Sequence, residues 1–344
     1  MPPSSRLGAP PPRRVAVFRA LQLGDLLCSV PAFRALRAAL PGAEIVLIGL
    51  PWARAFAARY RDYFDGFREF PGYPGLPERE PRLGELPDFL ASVRGERFDL
   101  VVQMQGDGTI TNPLTALFGG RRHAGYYRPG QFRPDPERFL PYPEDRHEVR
   151  RHLRLVEFLG APPRGEAIDF PVHEADREAL RAAAGAEAPR PGAYVCVHPG
   201  ARHPSRRWPP EHFAAVADAL AGRGQRVVLT GTNEEVPLTR AVAGAMRAPV
   251  LDLAGRTDLG AAAALLQRAR LLVCNNTGVS HLAAALRTPS IALLHEPGEL
   301  CRWAPLDSRR HRAVFGDTWP EPAPVLAEAD DLLRDGAFTA EAVS

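Results

Sequence analysis

The chain contains no lysine: all 43 of its basic residues are arginine. Any phosphate or carboxylate held by a cationic side chain must therefore meet a planar guanidinium fork rather than a compact ammonium. Cysteine is scarce too. Cys28, Cys196, Cys274 and Cys301 stand singly, without CxxC spacing, which excludes a disulfide scaffold and reads as reduced core thiols. Long apolar runs are missing, because Pro, Arg, Asp or Glu interrupts each one before it reaches the 18 or more residues of a membrane-spanning helix. The excess of one charge sign is small, at +3 net, and gives no support for a nucleic-acid partner. No D-x-D pair stands near a strand end and no histidines cluster at metal spacing, so no metal or other cofactor is expected. Residues 1–12 are rich in Pro and Ser and have no apolar centre; they read as a disordered tail rather than a signal peptide, which places the protein in the cytoplasm.

What is present is an ordinary globular composition, 45% hydrophobic and 24% charged, over 344 residues, longer than a single core usually grows. Short β-branched runs alternate with helical stretches: Val15–Phe18, Glu44–Leu50, Phe98–Met104, Tyr194–His198, Arg226–Gly231, Val250–Leu253, Leu271–Asn275 and Ser290–Leu294. That order predicts parallel sheets covered by helices, an α/β fold. The Pro-rich stretch Ala186–Gly192 is the best linker. It separates an N-terminal Rossmann-like domain, 13–185, from a C-terminal one, 193–344, whose last helix is a candidate to pack back on the first domain. In open parallel sheets ligands bind beyond the carboxyl ends of the strands.

The first such end carries Arg19–Asp25 (RALQLGD), with Leu26, Val30, Phe33, Leu36 and Leu40 following at helical spacing. Asp25 reads either as the N-cap of this helix or as a functional carboxylate. Pro31 leaves the helix start open, near Asp25 or at Ser29. The loop lacks the three glycines of a dinucleotide site.

The C-terminal half offers three pieces suited to a nucleoside diphosphate. Arg206 and Arg207, between a strand and a helix, can place guanidinium forks on a phosphate; in an arginine-rich chain they can equally be solvated. Glu235, just past a strand, suits a ribose or merely a helix start. The segment Asn275–Val279 ends a buried run and opens a small-residue helix whose first amides, at Thr277, Gly278 and Val279, form an anion site. His281 lies in that helix start.

Five segments together resemble glycosyltransferase family 9, the ADP-heptose lipopolysaccharide heptosyltransferases and their relatives: GDLLCSVPAFRALR (Gly24–Arg37), VHPGARHPSRRWPPEHF (Val197–Phe213), LTGTNEE (Leu229–Glu235), DLAGRTDL (Asp252–Leu259) and CNNTGVSHLAAALRTP (Cys274–Pro289). The resemblance implies a GT-B fold, two facing Rossmann-like domains with an interdomain cleft, and metal-independent transfer with inversion. It implies the general base at Asp25, the phosphate contact at Arg206 where the family has lysine, the ribose contact at Glu235 and the diphosphate turn at Thr277–Val279. Asn276 stands where the lipopolysaccharide enzymes usually carry aspartate near the sugar. The donor, an ADP-linked sugar, would be a substrate rather than a cofactor. The acceptor, a glycan or lipid-linked glycan, would draw the protein to the inner membrane face. Gly24, Gln105, Arg122 and Tyr126 are the acceptor-side candidates, with Tyr127, Arg121, Arg128 and Arg133 around them, and Asp107 is the reserve base. A same-fold sugar-nucleotide epimerase and a non-catalytic nucleotide-sugar-binding protein are the alternatives.

Overall fold

The computed structural model describes residues 6–316 and 318–334. The chain divides into two compact units, Met1–Ala167 and Ile168–Ser344. In the first unit the strands are β1 (Arg14–Phe18), β2 (Glu44–Gly49), β3 (Gly66–Glu69), β4 (Leu100–Gln103), β5 (His123–Tyr127) and β6 (Phe139–Pro141). In the second they are β7 (Tyr194–His198), β8 (Arg226–Leu229), β9 (Val250–Asp252), β10 (Leu271–Asn275), β11 (Ser290–Leu294) and β12 (His311–Phe315).

Every strand pairing is parallel. The orders are β3-β2-β1-β4-β5-β6 and β12-β11-β10-β7-β8-β9; with the second read from β9 to β12, they are one doubly wound topology used twice. Strand order reverses between β1 and β4 in one unit and between β7 and β10 in the other. These are the topological switch points, where the loops after neighbouring strands diverge and leave a crevice. Central strands such as VAVF of β1 and LLVCN of β10 are buried along their length, as helices on both faces of a parallel sheet require.

Each unit has its own core. Phe18 of β1 meets Phe70 and Phe118 edge-on at 5.1 and 5.6 Å between ring centroids. In the second unit Trp208 and Phe213, 4.9 Å apart, pack with Val195, Val197, Val273 and Leu293.

The division between the units differs from the linker read at Ala186–Gly192. The helix Glu174–Ala184 belongs to the second unit, where it packs on the helix Leu259–Gln267; Arg177 Nη2 donates to Gln267 Oε1 at 3.3 Å, and Arg256 Nη2 donates to the Ala183 carbonyl. The expected tail is also partly built in. Leu7 is buried, its amide donates to the Leu159 carbonyl at 2.9 Å, and Arg6 lies 4.1 Å from the centroid of the Phe158 ring. Residues 1–5 lie outside the described residues. The last described helix, Pro322–Arg334, packs on β10, β11, β12 and the helix Pro210–Gly222 of its own unit. Its buried face of Val325, Ala329 and Leu332 joins the second core.

Candidate active site

In the first unit Pro31 divides what the sequence left ambiguous. A short helical turn, Leu23–Leu27, is followed by a separate helix, Val30–Ala39, with Pro31 in its first turn. Gln22 is the N-cap residue of the first turn. Asp25 therefore sits inside that turn, not at the capping position, with its side chain 22% exposed.

The residue that fixes it is Arg19, at the carboxyl end of β1 and completely buried. Its Nε and Nη2 donate to the Asp25 carbonyl at 3.0 and 2.8 Å, its Nη1 donates to the Met104 carbonyl, and Ser29 Oγ adds a bond to the same Asp25 carbonyl at 2.9 Å. Behind Arg19 lies Glu148, also buried, whose Oε1 is 3.2 Å from Arg19 Nη2 and accepts from His152 Nε2 at 3.0 Å. Burial and the nearby Arg19 charge push the His152 pKa down to about 4, so the imidazole is neutral near pH 7 and acts as a donor.

Across the switch point, the loop after β4 supplies Gln105. Its Oε1 accepts from the Ala20 amide at 2.8 Å, whereas its Nε2 is buried with no hydrogen-bond partner among the described residues. This buried amide donor beside Asp25's loop is unpaired, which costs free energy until a partner fills it. Asp107 is held differently. Burial raises its pKa, but hydrogen bonds from Arg128 and Thr109 outweigh that and leave the carboxyl below the usual range.

In the second unit the site gathers on the loop after β7, flanked by the loop after β8 on one side and that after β10 on the other. Asn275, fully buried, staples it: Oδ1 accepts from the Trp208 amide at 3.0 Å, and Nδ2 donates to the Pro199 carbonyl at 2.8 Å. Arg207 Nε donates to the Ala201 carbonyl at 2.9 Å, shaping its own loop. Glu235 closes a turn by accepting from the Thr232 amide at 2.8 Å, and its carboxylate lies against Gly200, where an added Cβ would fall 2.1 Å from Oε1. His198 Nε2 is 3.7 Å from Glu235 Oε2. Burial lowers the His198 pKa despite that carboxylate.

Beside this loop the helix Gly278–Leu286 begins with Thr277 in the capping position, but no side chain caps it. Thr277 Oγ1 is buried and without a partner among the described residues. Arg206 stands next to Asn276 through a shared neighbour, Glu299: Arg206 Nε is 3.5 Å from Glu299 Oε1, and Asn276 Nδ2 donates to that oxygen at 3.1 Å. The uncapped helix start, the unpartnered hydroxyl and the guanidinium together have the chemistry of an anion cradle. Among the described residues no group of three or more His, Cys, Asp or Glu is arranged to hold a metal ion.

Residues 88–324, more than half of the chain, match the family profile of glycosyltransferase family 9 (heptosyltransferase). The chain belongs to glycosyltransferase family 9. Among the family's characterised proteins it is 26% identical over 295 residues to lipopolysaccharide heptosyltransferase 2 of Escherichia coli K12, covering 81% of this chain and 82% of that one. It is 28% identical over 309 residues to lipopolysaccharide heptosyltransferase 1 of Pseudomonas aeruginosa, covering 81% and 78%. A family 9 glycosyltransferase from Veillonella parvula superposes with a TM-score of 0.78 at 18% identity, over 94% of this chain and 97% of that one. The E. coli ADP-heptose lipopolysaccharide heptosyltransferase II superposes at 0.75 and 22%, over 94% and 99%. The fold is thus α/β of the GT-B class, and the protein is a glycosyltransferase.

Within this family 9 chain the residues read from sequence fall into two groups. Arg206, Asn276, Thr277, Gly278 and Val279 come together at the switch point of the second unit, with Glu235 across the Gly200 loop. His281 sits one turn into the helix, buried and 5.7 Å from the Trp303 ring. In the first unit Gly24, Asp25 and Gln105 share one switch point. Two acceptor candidates do not join them. Tyr126 is a core residue, 1% exposed, whose hydroxyl donates to the Arg151 carbonyl. Arg122 precedes β5, at the amino ends of the strands, where Nη1 donates to the Leu7 carbonyl at 2.8 Å. Sequence reading missed Arg19, Asn275 and Glu299. Asn275 alone had a visible signal, an amide at the end of a wholly apolar strand.

Proposed function

We propose that this enzyme transfers heptose from ADP-heptose to a hydroxyl of a lipopolysaccharide core glycan, with inversion and without a metal cofactor. The observation that carries the reading is the uncapped start of the helix Gly278–Leu286, with Thr277 Oγ1 unpartnered and Arg206 beside it. The names of the family 9 relatives supply the sugar and the acceptor.

An acceptor hydroxyl is far too weak an acid to ionise near pH 7, so a carboxylate must take its proton as the oxygen attacks the anomeric carbon. Asp25 is that carboxylate in this proposal, and the open amide of Gln105 orients the hydroxyl. The new bond joins the acceptor oxygen to the anomeric carbon, the bond from that carbon to the β-phosphate oxygen breaks, and the proton ends on Asp25. Charge developing on the departing ADP is met by the amides of Gly278 and Val279 and by the Arg206 fork, which supply the positive field a divalent cation provides elsewhere. Glu235, placed at the ends of β7 and β8, is the ribose contact. No helix among the described residues is long and apolar enough to cross a membrane; a lipid-linked acceptor would be met at the cytoplasmic face of the inner membrane, by peripheral contact.

The test is transfer in a defined assay: ADP-heptose, a heptose-free core acceptor, and product analysis by mass spectrometry and anomeric proton couplings, with and without a chelator. Inverted, chelator-resistant heptosylation is expected. Transfer that stops with chelator and returns with magnesium, or a retained anomeric configuration, would refute the mechanism.

A further inference from the structure

We propose that Glu299 is the residue that selects the sugar of the donor and weakens the hold on the spent nucleotide; this rests on the donor reading above. Glu299 lies on the helix Pro297–Trp303, 3% exposed. Its Oε1 accepts from Asn276 Nδ2 at 3.1 Å and lies 3.5 Å from Arg206 Nε. Glu296, half a turn to a turn earlier and largely exposed, approaches Arg206 Nη2 at 3.3 Å. The buried carboxylate is thus bound to the two side chains that flank the anion cradle, with Asn276 immediately before Thr277.

A purely structural role is a poor account of this carboxylate. Taking an ionised group out of water costs several kcal/mol unless partners satisfy it, and its contacts with Asn276 and Arg206 both fall on one oxygen, Oε1. Its position is also unfavourable to the anion itself, since a carboxylate next to a diphosphate repels it and competes for Arg206. The arrangement gains from Glu299 only if the bound molecule brings hydrogen-bond donors to it. The sugar of a nucleotide sugar does so, because it hangs from the β-phosphate and carries hydroxyls, and an ionised carboxylate is an acceptor that binds hydroxyls by charge-assisted bonds. A free nucleoside diphosphate lacks those hydroxyls and carries one more ionisable phosphate oxygen. Glu299 therefore favours the intact donor and disfavours the leaving product. Asn276 fits this division of labour: with a carboxylate at 276, two acids would face each other across a hydrogen-bond distance and could not both ionise. The neutral amide at 276 lets the single charge reside on Glu299.

The experiment is calorimetric titration of ADP and of ADP-heptose into the wild-type protein, Glu299→Gln, and the exchange variant Asn276→Asp with Glu299→Gln. In Glu299→Gln, ADP is expected to bind as tightly as before or tighter and ADP-heptose more weakly. The preference for donor over ADP should fall by about tenfold to a hundredfold, the range of one charged hydrogen bond. The exchange variant, which keeps one carboxylate on the pair, should recover much of that preference. Parallel weakening of both ligands in Glu299→Gln, or an unchanged preference, overturns the proposal; if Glu299→Gln does not fold, an exchange variant without donor preference overturns it instead. A wild-type protein that binds ADP but not ADP-heptose overturns the donor reading itself, a different failure from a wild-type preference that survives in Glu299→Gln.

Discussion

Arg19 grips Asp25 by its main chain: Nε and Nη2 donate to the Asp25 carbonyl at 3.0 and 2.8 Å, while the guanidinium comes no nearer to the carboxylate than 3.8 Å. The turn is thereby fixed with its carboxylate held beside a positive charge. Replacing Arg19 with methionine removes the grip and takes one partner from buried Glu148, leaving it Arg151 and His152. Loss of one partner from a buried ion network costs roughly 3 kcal/mol or more. Chemical denaturation should show that loss; a midpoint within experimental error of wild type would mean the network is dispensable.

Asp25→Asn separates chemistry from structure. Asp25 is not the capping residue; the substitution removes a first-turn charge, worth about 0.3–1 kcal/mol at a helix start, and the 3.8 Å ion pair with Arg19, and the melting temperature should move little. Turnover should drop by about a hundredfold to ten-thousandfold, the usual scale of a general base. The Kd for ADP-heptose should stay within a few-fold, because every proposed donor contact lies in the second unit. Near wild-type turnover in a folded variant would remove Asp25 from the mechanism. Asp107 is a poor substitute, being tied to Arg128 with a carboxyl below the usual range.

How far these sites were legible depends on what kind of signal each residue leaves. Strands buried on both faces, β1 and β10 among them, announce themselves as continuous apolar runs, and the turn after β10 carries its small residues in one stretch. The edge strands β3 (GFRE) and β6 (FLP) do not: they are four and three residues long and only partly buried, and neither stood out. Tyr126 looked like an acceptor-side aromatic in an Arg-rich stretch, but β5 is buried through its three central residues, and Tyr126 lies in the core. Glu299 was invisible because its meaning comes from Asn276, 23 residues away, and only the fold brings the two together. Arg19 was passed over, since nothing local marks a guanidinium that will be buried on backbone carbonyls.

Gly200→Ala tests the placement of Glu235 without touching its charge. The new methyl would fall 2.1 Å from Oε1 and 2.6 Å from Oε2 of that carboxylate, so Glu235 must leave. If Glu235 holds the ribose, ADP affinity should fall by about tenfold, the order of one hydrogen bond to a charged group, and Glu235→Gln should fall similarly. Inorganic pyrophosphate, which has no ribose, should compete for the cradle as well as before. Equal loss for ADP and pyrophosphate would instead mean that the Gly200 loop, not Glu235, had been disturbed.

The two units should share an acid sensitivity with a common cause. Burial holds His152 in the first unit and His311 in the second at about 4, against an ordinary 6.5. His152 is lowered further by Arg19, and the effect of Arg310 on His311 is opposed by Asp307. A histidine whose folded pKa is depressed is protonated first in the unfolded chain. Between pH 6.5 and 4 the unfolded state therefore binds more protons, and stability falls as pH falls through that window, by up to about 1.4 kcal/mol per pH unit for each group. Above pH 6.5 neither histidine contributes a slope. His152→Gln keeps an amide donor for Glu148 but cannot titrate, so its melting temperature should decline less steeply than wild type between pH 6.5 and 5 while matching its shape above pH 7. Because His311 remains, the decline should be reduced rather than abolished, and combining the variant with His311→Asn should flatten it further. A wild-type melting temperature that is level from pH 7 to pH 5, or a His152→Gln curve parallel to wild type throughout, would show that these imidazoles are not held neutral by the fold.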